Sequence, residues 1–416
     1  MAETKITEKY EYLTDIITSF GNKEQRIRLR EKPRHTYSFD YSAMTLWDGQ
    51  WLRAMMRTKI NDVHLVPMWH NEMRLTEDYV GNKLLFIRPE HMMNMEGCNM
   101  VKVFVKDDYK ASGVNTLLDI DAINTNNTLH IKDAYTIDFL DMRNAFLYPV
   151  KRVALQPSST LQYVYSNGSE VALNFEDLNY ESPVAFPNKF LEEYDVEDSA
   201  NRFNLPLTHD GLNLFPVSPQ WISDDSLSLT VDKWVTRLDN ETGSFFYDVK
   251  TTNSYDIMTF DLTLMNKPAI NNMIRFFRKV CGRWKPFYVP SWANDIEVWT
   301  DIRATDNYIL TDFHNLDRLY NRNGRRKKIV IFTKDWKSYI YDIFTWKRLD
   351  FIGKNGNVKH LCEVILNKQV GVSLPKSNIL MVSFLNFVRF DSDELVLNYE
   401  TTNEAQTTLV MKEVDE

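Results

Sequence analysis

The sequence predicts a β-rich α+β chain: two tandem copies of one β-sandwich or barrel domain, each with a single main helix. Three observations carry this. Short segments recur at a nearly constant offset, the recurring segments alternate with the period of strands, and an amphipathic stretch stands at the same place in each half.

The repeats are specific. Glu170-Val171-Ala172-Leu173-Asn174-Phe175-Glu176 matches Glu394-Leu395-Val396-Leu397-Asn398-Tyr399-Glu400 in residue type at an offset of 224 residues. Val66-Pro67-Met68-Trp69-His70-Asn71-Glu72 matches Val289-Pro290-Ser291-Trp292-Ala293-Asn294-Asp295 at 223. Ser38-Phe39-Asp40 answers Thr259-Phe260-Asp261 at 221, Gly21 answers Gly243 at 222, and Val103 to Asp107 answers Ile331 to Asp335 at 228. Drift of a few residues is what loop insertions produce, and units this long bury their own cores, unlike solenoid units. The division expected is residues 1–177 for the first domain, 178–230 for an irregular connector, 231–402 for the second domain and 403–416 for a polar tail that frays.

Taken in order, Gln25-Arg26-Ile27-Arg28-Leu29-Arg30 alternates, so a strand is expected with its arginines on one face and Ile27 and Leu29 buried on the other. Thr36 to Tyr41 alternates after Pro33 and reads as its antiparallel neighbour, and Tyr255 to Leu262 is the counterpart in the second copy. A helix follows in each copy. In the second, Asn266 caps, Pro268 suits the first turn, Gly282 ends it, and Ile270, Met273, Ile274, Phe277, Val280 and Cys281 form the apolar stripe; Met44, Trp47, Trp51, Leu52, Met55 and Met56 are the counterpart stripe in the first. Pro67 and Pro290 lack an amide donor and belong at a strand end or sheet edge. Further strands are expected around residues 84–87, 101–106, 116–121, 128–132 and 150–154, with a hairpin over 160–176 turning at Asn167-Gly168. The second copy offers 297–302, 328–333, 338–343, 347–352, 360–366 and 384–399. The connector, with Pro183, Pro187, Pro206, Pro216 and Pro219, has no sustained period; it is expected to pack on the domains, with a short helix at Asn188 to Tyr194.

Composition excludes several classes. Hydrophobic content of 44% beside 25% charged residues is that of a soluble globular chain, with no run long enough for a membrane helix and no leader-like N-terminus, so synthesis in the cytosol is expected. A net charge of −8 argues against gripping nucleic acid by its phosphates. Cys98, Cys281 and Cys362 are odd in number and far apart, which suits neither disulfides nor zinc.

Chemistry-bearing motifs are missing from the sequence. It has no Gly-x-Ser-x-Gly, no Walker loop, no Gly-x-Gly-x-x-Gly and no His-Glu-x-x-His; His64 and His70 answer Phe287 and Ala293 in the other copy. Acid pairs such as Asp107-Asp108, Asp224-Asp225 and Asp391 with Asp393 read as solvated turns among 57 acids. No catalytic, cofactor or metal residue is therefore assigned, and no enzyme is expected. The residues singled out are the repeated Pro67, Trp69, Asn71, Pro290, Trp292 and Asn294, and, as candidate subunit contacts, Arg26, Arg28 and Arg30 with Arg325 and Arg326 of the basic run Arg322 to Lys328.

A Gly-x-x-Glu-Gln-Arg start, an alternating strand with Pro-Arg, a strand ending Phe-Asp, a helix and a Pro-x-Trp resemble the distal tail and baseplate proteins of long-tailed bacteriophages and gene-transfer agents, which are built on the tail-tube fold. The second copy is the closer, through Arg275 to Arg283, Pro286 to Asp295 and Arg389 to Glu394; the first has Ile60-Asn61-Asp62 where a Gly-Arg turn is expected. The resemblance implies a non-enzymatic virion protein, assembled in the host cytoplasm, forming a homo-oligomeric ring at the tail tip. That ring would continue the tail tube, hold hub, spike or fibre proteins, and pass DNA through its lumen without entering a membrane. Three copies with two domains each would give a pseudo-six-fold ring; a hexamer is the other arrangement. Two other classes stay open: a carbohydrate- or receptor-binding protein using surface aromatics, for which Trp69 and Trp292 must be exposed, and a hydrolase, which needs two facing carboxylates or a zinc site.

Overall fold

The computed structural model describes residues 2–415 except 20–22, 44, 61, 82, 89–90, 92–94, 96–97, 106–114, 125–126, 133–138, 158–159, 166–167, 179–202, 216, 220–225, 234, 240, 242, 244, 250–253, 314–315, 321–325 and 353–357. It is β-rich and antiparallel. The principal strands of the N-terminal half are β1 (Ala2–Glu11), β2 (Thr14–Thr18), β3 (Glu24–Arg28), β4 (Arg34–Ala43), β5 (Val63–Pro67), β6 (Leu84–Phe86), β7 (Met100–Val105), β8 (Asn115–Ile123), β9 (Thr128–Ile131), β10 (Ala145–Leu155), β11 (Thr160–Tyr165) and β12 (Gly168–Asp177), with helix α1 (Leu46–Thr58) after β4. Those of the C-terminal half are β13 (Ser226–Asp232), β14 (Val235–Asp239), β15 (Phe245–Val249), β16 (Tyr255–Leu264), β17 (Phe287–Pro290), β18 (Tyr308–Thr311), β19 (Lys328–Thr333), β20 (Ser338–Ile352), β21 (Val358–Leu366), β22 (Ile379–Phe390), β23 (Glu394–Thr401) and β24 (Glu404–Glu413), with α2 (Lys267–Val280) after β16.

One antiparallel sheet passes through both halves in the order β11-β12-β4-β1-β23-β24-β16-β13. Pairings on one side recur on the other. Phe39 of β4 lies opposite Ile6 and Leu173, and Phe260 of β16 lies opposite Leu227 and Leu409. Val153 of β10 lies opposite His64 and Asp177, and Val388 of β22 lies opposite Phe287 and Glu413. β10 also pairs β7, and β22 pairs β19. In this register β1 and β4 correspond to β13 and β16, β12 to β24, and β11 to β23. The match of 170–176 with 394–400 thus joins strands at different positions. β12 and β23 resemble each other because both bury alternate Val, Leu and aromatic side chains, Val171, Leu173 and Phe175 in one and Leu395, Leu397 and Tyr399 in the other.

α2 forms as its sequence requires. Asn266 accepts a hydrogen bond from the Ala269 amide at 2.8 Å, Pro268 occupies the first turn, and Cys281 closes the helix at φ 55° ahead of Gly282. Its stripe, from Ile270 to Cys281, is buried. Pro67 and Pro290 each end a strand.

Several expectations are corrected. Residues 404–413 are an interior strand of the main sheet, flanked by β16, β22 and β23, where a fraying tail was expected; Gln406 and Thr408 on the outer face disguised Ala405, Leu409 and Met411, which are buried. The connector likewise ends early. β13 begins at Ser226, and Phe203, Leu205, Leu214 and Phe215 lie in the core; the helix expected at 188–194 falls outside the described residues. β3 pairs with β2 instead of β4, and its faces are reversed: Ile27 and Leu29 are exposed while Arg26, Arg28 and Arg30 turn inward. On α1, Leu52 and Gly49 face inward, leaving Trp47 78% and Trp51 53% exposed. Over 297–302 only isolated bridges form, at Val298 and Ile302.

Because β24 is interior, ending the chain after Asn403 is expected to abolish cooperative folding, whereas removal of a frayed tail changes little. Far-UV circular dichroism and a thermal melt of the truncated chain check this; a melt like that of the intact chain would contradict it.

Candidate functional site

A group of buried titratable side chains lies where the two halves meet, and strand β1 builds it. Ile6, Glu8 and Tyr10 point inward on one face of β1, between β4 of the first half and β23 of the second. Glu8 is 2% exposed. Its Oε1 accepts from Tyr10 Oη at 2.9 Å and from His35 Nε2 at 2.7 Å; its Oε2 accepts from Tyr399 Oη at 2.7 Å and lies 3.6 Å from His70 Nε2. Lys151 Nζ lies 3.1 Å from His35 Nδ1 and 2.7 Å from Asp177 Oδ2. An ammonium only donates, so Nδ1 is the acceptor and the His35 proton sits on Nε2, directed at Glu8.

Burial by itself raises the Glu8 carboxyl, but the hydrogen bond from His35 and the nearby His70 ring outweigh it and hold the group well below the usual carboxylate range. Burial likewise opposes Asp177, and Lys151 and His35 bring it down to about 2. Burial lowers Lys151 while Asp177 raises it, with a net upward shift. Burial pushes Tyr399 and Tyr37 well above their ordinary values, so both stay protonated donors.

The cluster opens onto a cavity of about 180 Å³ lined by Lys5, Ile6, Trp69, His70, Tyr399, Glu400, Thr401 and Thr402. His70 comes from the turn Trp69–Asn71 and is 1% exposed, its ring 4.4 Å from that of Tyr399. Acid, imidazole and ammonium are tied to one another by hydrogen bonds. What the arrangement does is bind β1 to both neighbours.

A second joint lies 16 residues along the same hairpin. Arg389 of β22 takes both carboxylate oxygens of Glu24, Nε to Oε2 at 2.7 Å and Nη2 to Oε1 at 2.9 Å, with Arg389 and Glu24 side chains 2% and 3% exposed. Arg389 also donates to Asp391 at 2.8 Å. Asp393 accepts from the Thr14 amide at 2.7 Å, the Thr14 hydroxyl at 2.9 Å and the Arg283 amide at 2.9 Å. The acid pair Asp391 and Asp393 is therefore structural. The β2–β3 hairpin of the first half is clamped onto the second.

Of the arginines singled out from sequence, Arg28, Arg30 and Arg326 are engaged within the chain. Arg28 lies over the Trp284 ring at 4.7 Å and Arg30 donates to the Glu11 carbonyl at 2.8 Å, while Arg26 is half-buried beside Glu24. Arg326 contacts Asp256, Asn386 and Glu413 of the second half. Arg325, with Asp107, Asp108, Asp224 and Asp225, lies outside the described residues. Of the repeated motif, Trp292 is 4% exposed at φ 54° and stacks on Phe332 at 5.1 Å, whereas Trp69 is half-buried, edge-on to Tyr148. Asn294 Oδ1 accepts the Val382 amide at 3.0 Å; Asn71 is buried. His209, Asp210 and Asp342 converge as metal ligands do, but Lys328 Nζ stands 2.5 Å from Asp210 and 2.6 Å from Asp342, where a cation would sit. Sequence reasoning missed Glu8, His35, Lys151 and Asp177; the one signal was a charged residue on the inward face of an alternating segment.

No model of a known protein family matches the chain, and no curated protein matches it in sequence.

Glu8→Ala is expected to cost about 3–5 kcal/mol, the range for stranding the partners of a buried charge; urea unfolding of the two proteins measures it. The depressed carboxyls of Glu8 and Asp177 stabilise the fold above their ordinary pKa. The unfolded chain takes up their protons first as pH falls, so this contribution drains away from about pH 4 toward pH 2. An acid titration followed by tryptophan fluorescence should show a steeper loss in the wild type than in Asp177→Asn.

Proposed function

We propose that the chain is a non-enzymatic structural protein of a bacteriophage tail tip, built from two tandem tail-tube-like domains and assembled as a ring. The observation that carries the reading is the recurrence of pairings: β1, β4, β12 and β10 are connected to one another as β13, β16, β24 and β22 are. Duplication of a scaffold with retained register is what a ring component needs, because each copy must present the same edges. Three chains would supply six such units, matching a six-fold tube to a three-fold spike.

The site geometry supports the same reading. Buried charges at the seam are matched within the chain, and the candidate acid pair Asp391 and Asp393 is tied to backbone and arginine, as expected of scaffold and not of a hydrolase. Trp292 is buried, which removes one of the two stacking platforms that a carbohydrate-binding protein would require. A surplus of acids, 57 against 49 bases, suits a lumen that does not retain DNA phosphates.

Native mass spectrometry with negative-stain electron microscopy of the purified protein tests the proposal. A trimer or hexamer with a central hole is the expected result. A monomer at tens of micromolar that binds glycans would overturn it.

A further inference from the structure

Two edges of the main sheet are unpaired among the described residues, β11 in the first half and β13 in the second. Both carry apolar side chains into solvent: Tyr163 and Val164 on β11, Leu229 and Val231 on β13, each more than half exposed. Exposed apolar edges of this kind are interaction sites or aggregation hazards.

The chain itself contains the joint that would cover them. By the pairings above, β1 corresponds to β13 and β23 to β11, and β1 pairs antiparallel with β23 inside the molecule. We infer that β13 of one copy pairs antiparallel with β11 of the next, in the register that β1 and β23 already use. Carried over, Ile6 opposite Tyr399 becomes Leu227 opposite Tyr163, and Thr7 opposite Asn398 becomes Ser228 opposite Gln162. The chemistry is kept at both positions: an aliphatic against a tyrosine, and a hydroxyl against an amide, where Thr7 Oγ1 lies 3.0 Å from Asn398 Oδ1.

An independent surface agrees. β2–β3 extends the β1–β4 hairpin and lies across the second half, with Glu24 meeting Arg389. β14–β15 extends the β13–β16 hairpin in the same way, yet Phe245, Tyr247 and Val249 are exposed. Phe245 stands where Glu24 does, and Arg389 corresponds to Ala154, beside which Val63 and Leu65 are exposed. An ion pair on one side is thus replaced by apolar groups on both partners at the other. The joint is head-to-tail, each copy giving β13 with its hairpin and receiving on β11 with β10, which is the kind of contact that builds a ring when the rotation between copies closes.

This inference rests on the duplicated-domain reading, and the test separates the two. Ser228→Cys with Gln162→Cys in one chain is oxidised under mild conditions. The two positions lie on strands at opposite ends of an eight-strand sheet, roughly 33 Å apart, so a disulfide between them joins different copies. The native thiols are buried. A ladder of covalent oligomers is expected, with at least fivefold less from Ser228→Cys with Thr160→Cys, two residues out of register. Phe245→Glu should weaken association at least tenfold by sedimentation, and Phe246→Glu, on the opposite face, by far less. Oligomers by mass without the in-register cross-link would overturn this joint and leave the ring reading standing. Equal cross-linking at Thr160 would overturn the register, and a monomer without cross-links would overturn both.

Discussion

Burial of one carboxylate, Glu8, constrains the rest of the molecule. An unpaired ionised side chain in this position would cost several kcal/mol, so a strand carrying it can be interior only where donors converge. Those donors come from three places: Tyr10 on β1 itself, His35 on β4, and Tyr399 on β23. Two of them belong to different halves, so the halves cannot part without stripping Glu8 of a partner. Register is fixed for the same reason. A slip of one residue would turn Glu8 outward and carry Thr7 and Lys9 into the core, with no acceptor placed for the ammonium.

The hairpin that continues from β1 repeats the logic at its far end with Glu24 and Arg389. Its root is held by a close approach that tolerates only glycine. Gly282 has φ 61°, and a Cβ there would stand 2.7 Å from Asp393 Oδ1, the carboxylate that receives both Thr14 and Arg283. Polar clamps at two points of one hairpin, with Tyr12 packed on Phe277 between them, make β1, β2 and β3 part of the second half's packing as well as of their own.

Much of the fold was legible in the sequence where burial alone sets the pattern. α2 shows its cap, its stripe and its stop, and β4 and β16 show their alternation. What escaped was whatever a charge or a polar face disguised. β1 was missed because Glu8 occupies an inward position that alternation reserves for an apolar residue. β24 looked like a tail because its outer face is polar. β3 was turned inside out, since its arginines pack inward on Trp284, Glu11 and Arg389's partner while Ile27 and Leu29 face solvent. Such choices depend on residues hundreds of positions away, which period and composition do not contain. The string match between β12 and β23 failed for the converse reason: similar burial wrote similar residues at inequivalent places.

The joint within the chain and the joint proposed between chains differ in what must drive them. Within a chain the partners are tethered, so a buried ion pair such as Glu24 with Arg389 needs only to be specific; its desolvation is borne by the surrounding fold, and its contribution to stability is small. Between chains the joint must also offset lost translational freedom, for which apolar burial is the effective source, at about 25 cal/mol per Å². Replacement of Glu24 by Phe245 and of Arg389 by Ala154 follows that division. A chain whose internal seam is registered by buried ion pairs and whose free sheet edges are apolar keeps its own halves in register; under the proposed joint, association would then fall to those edges.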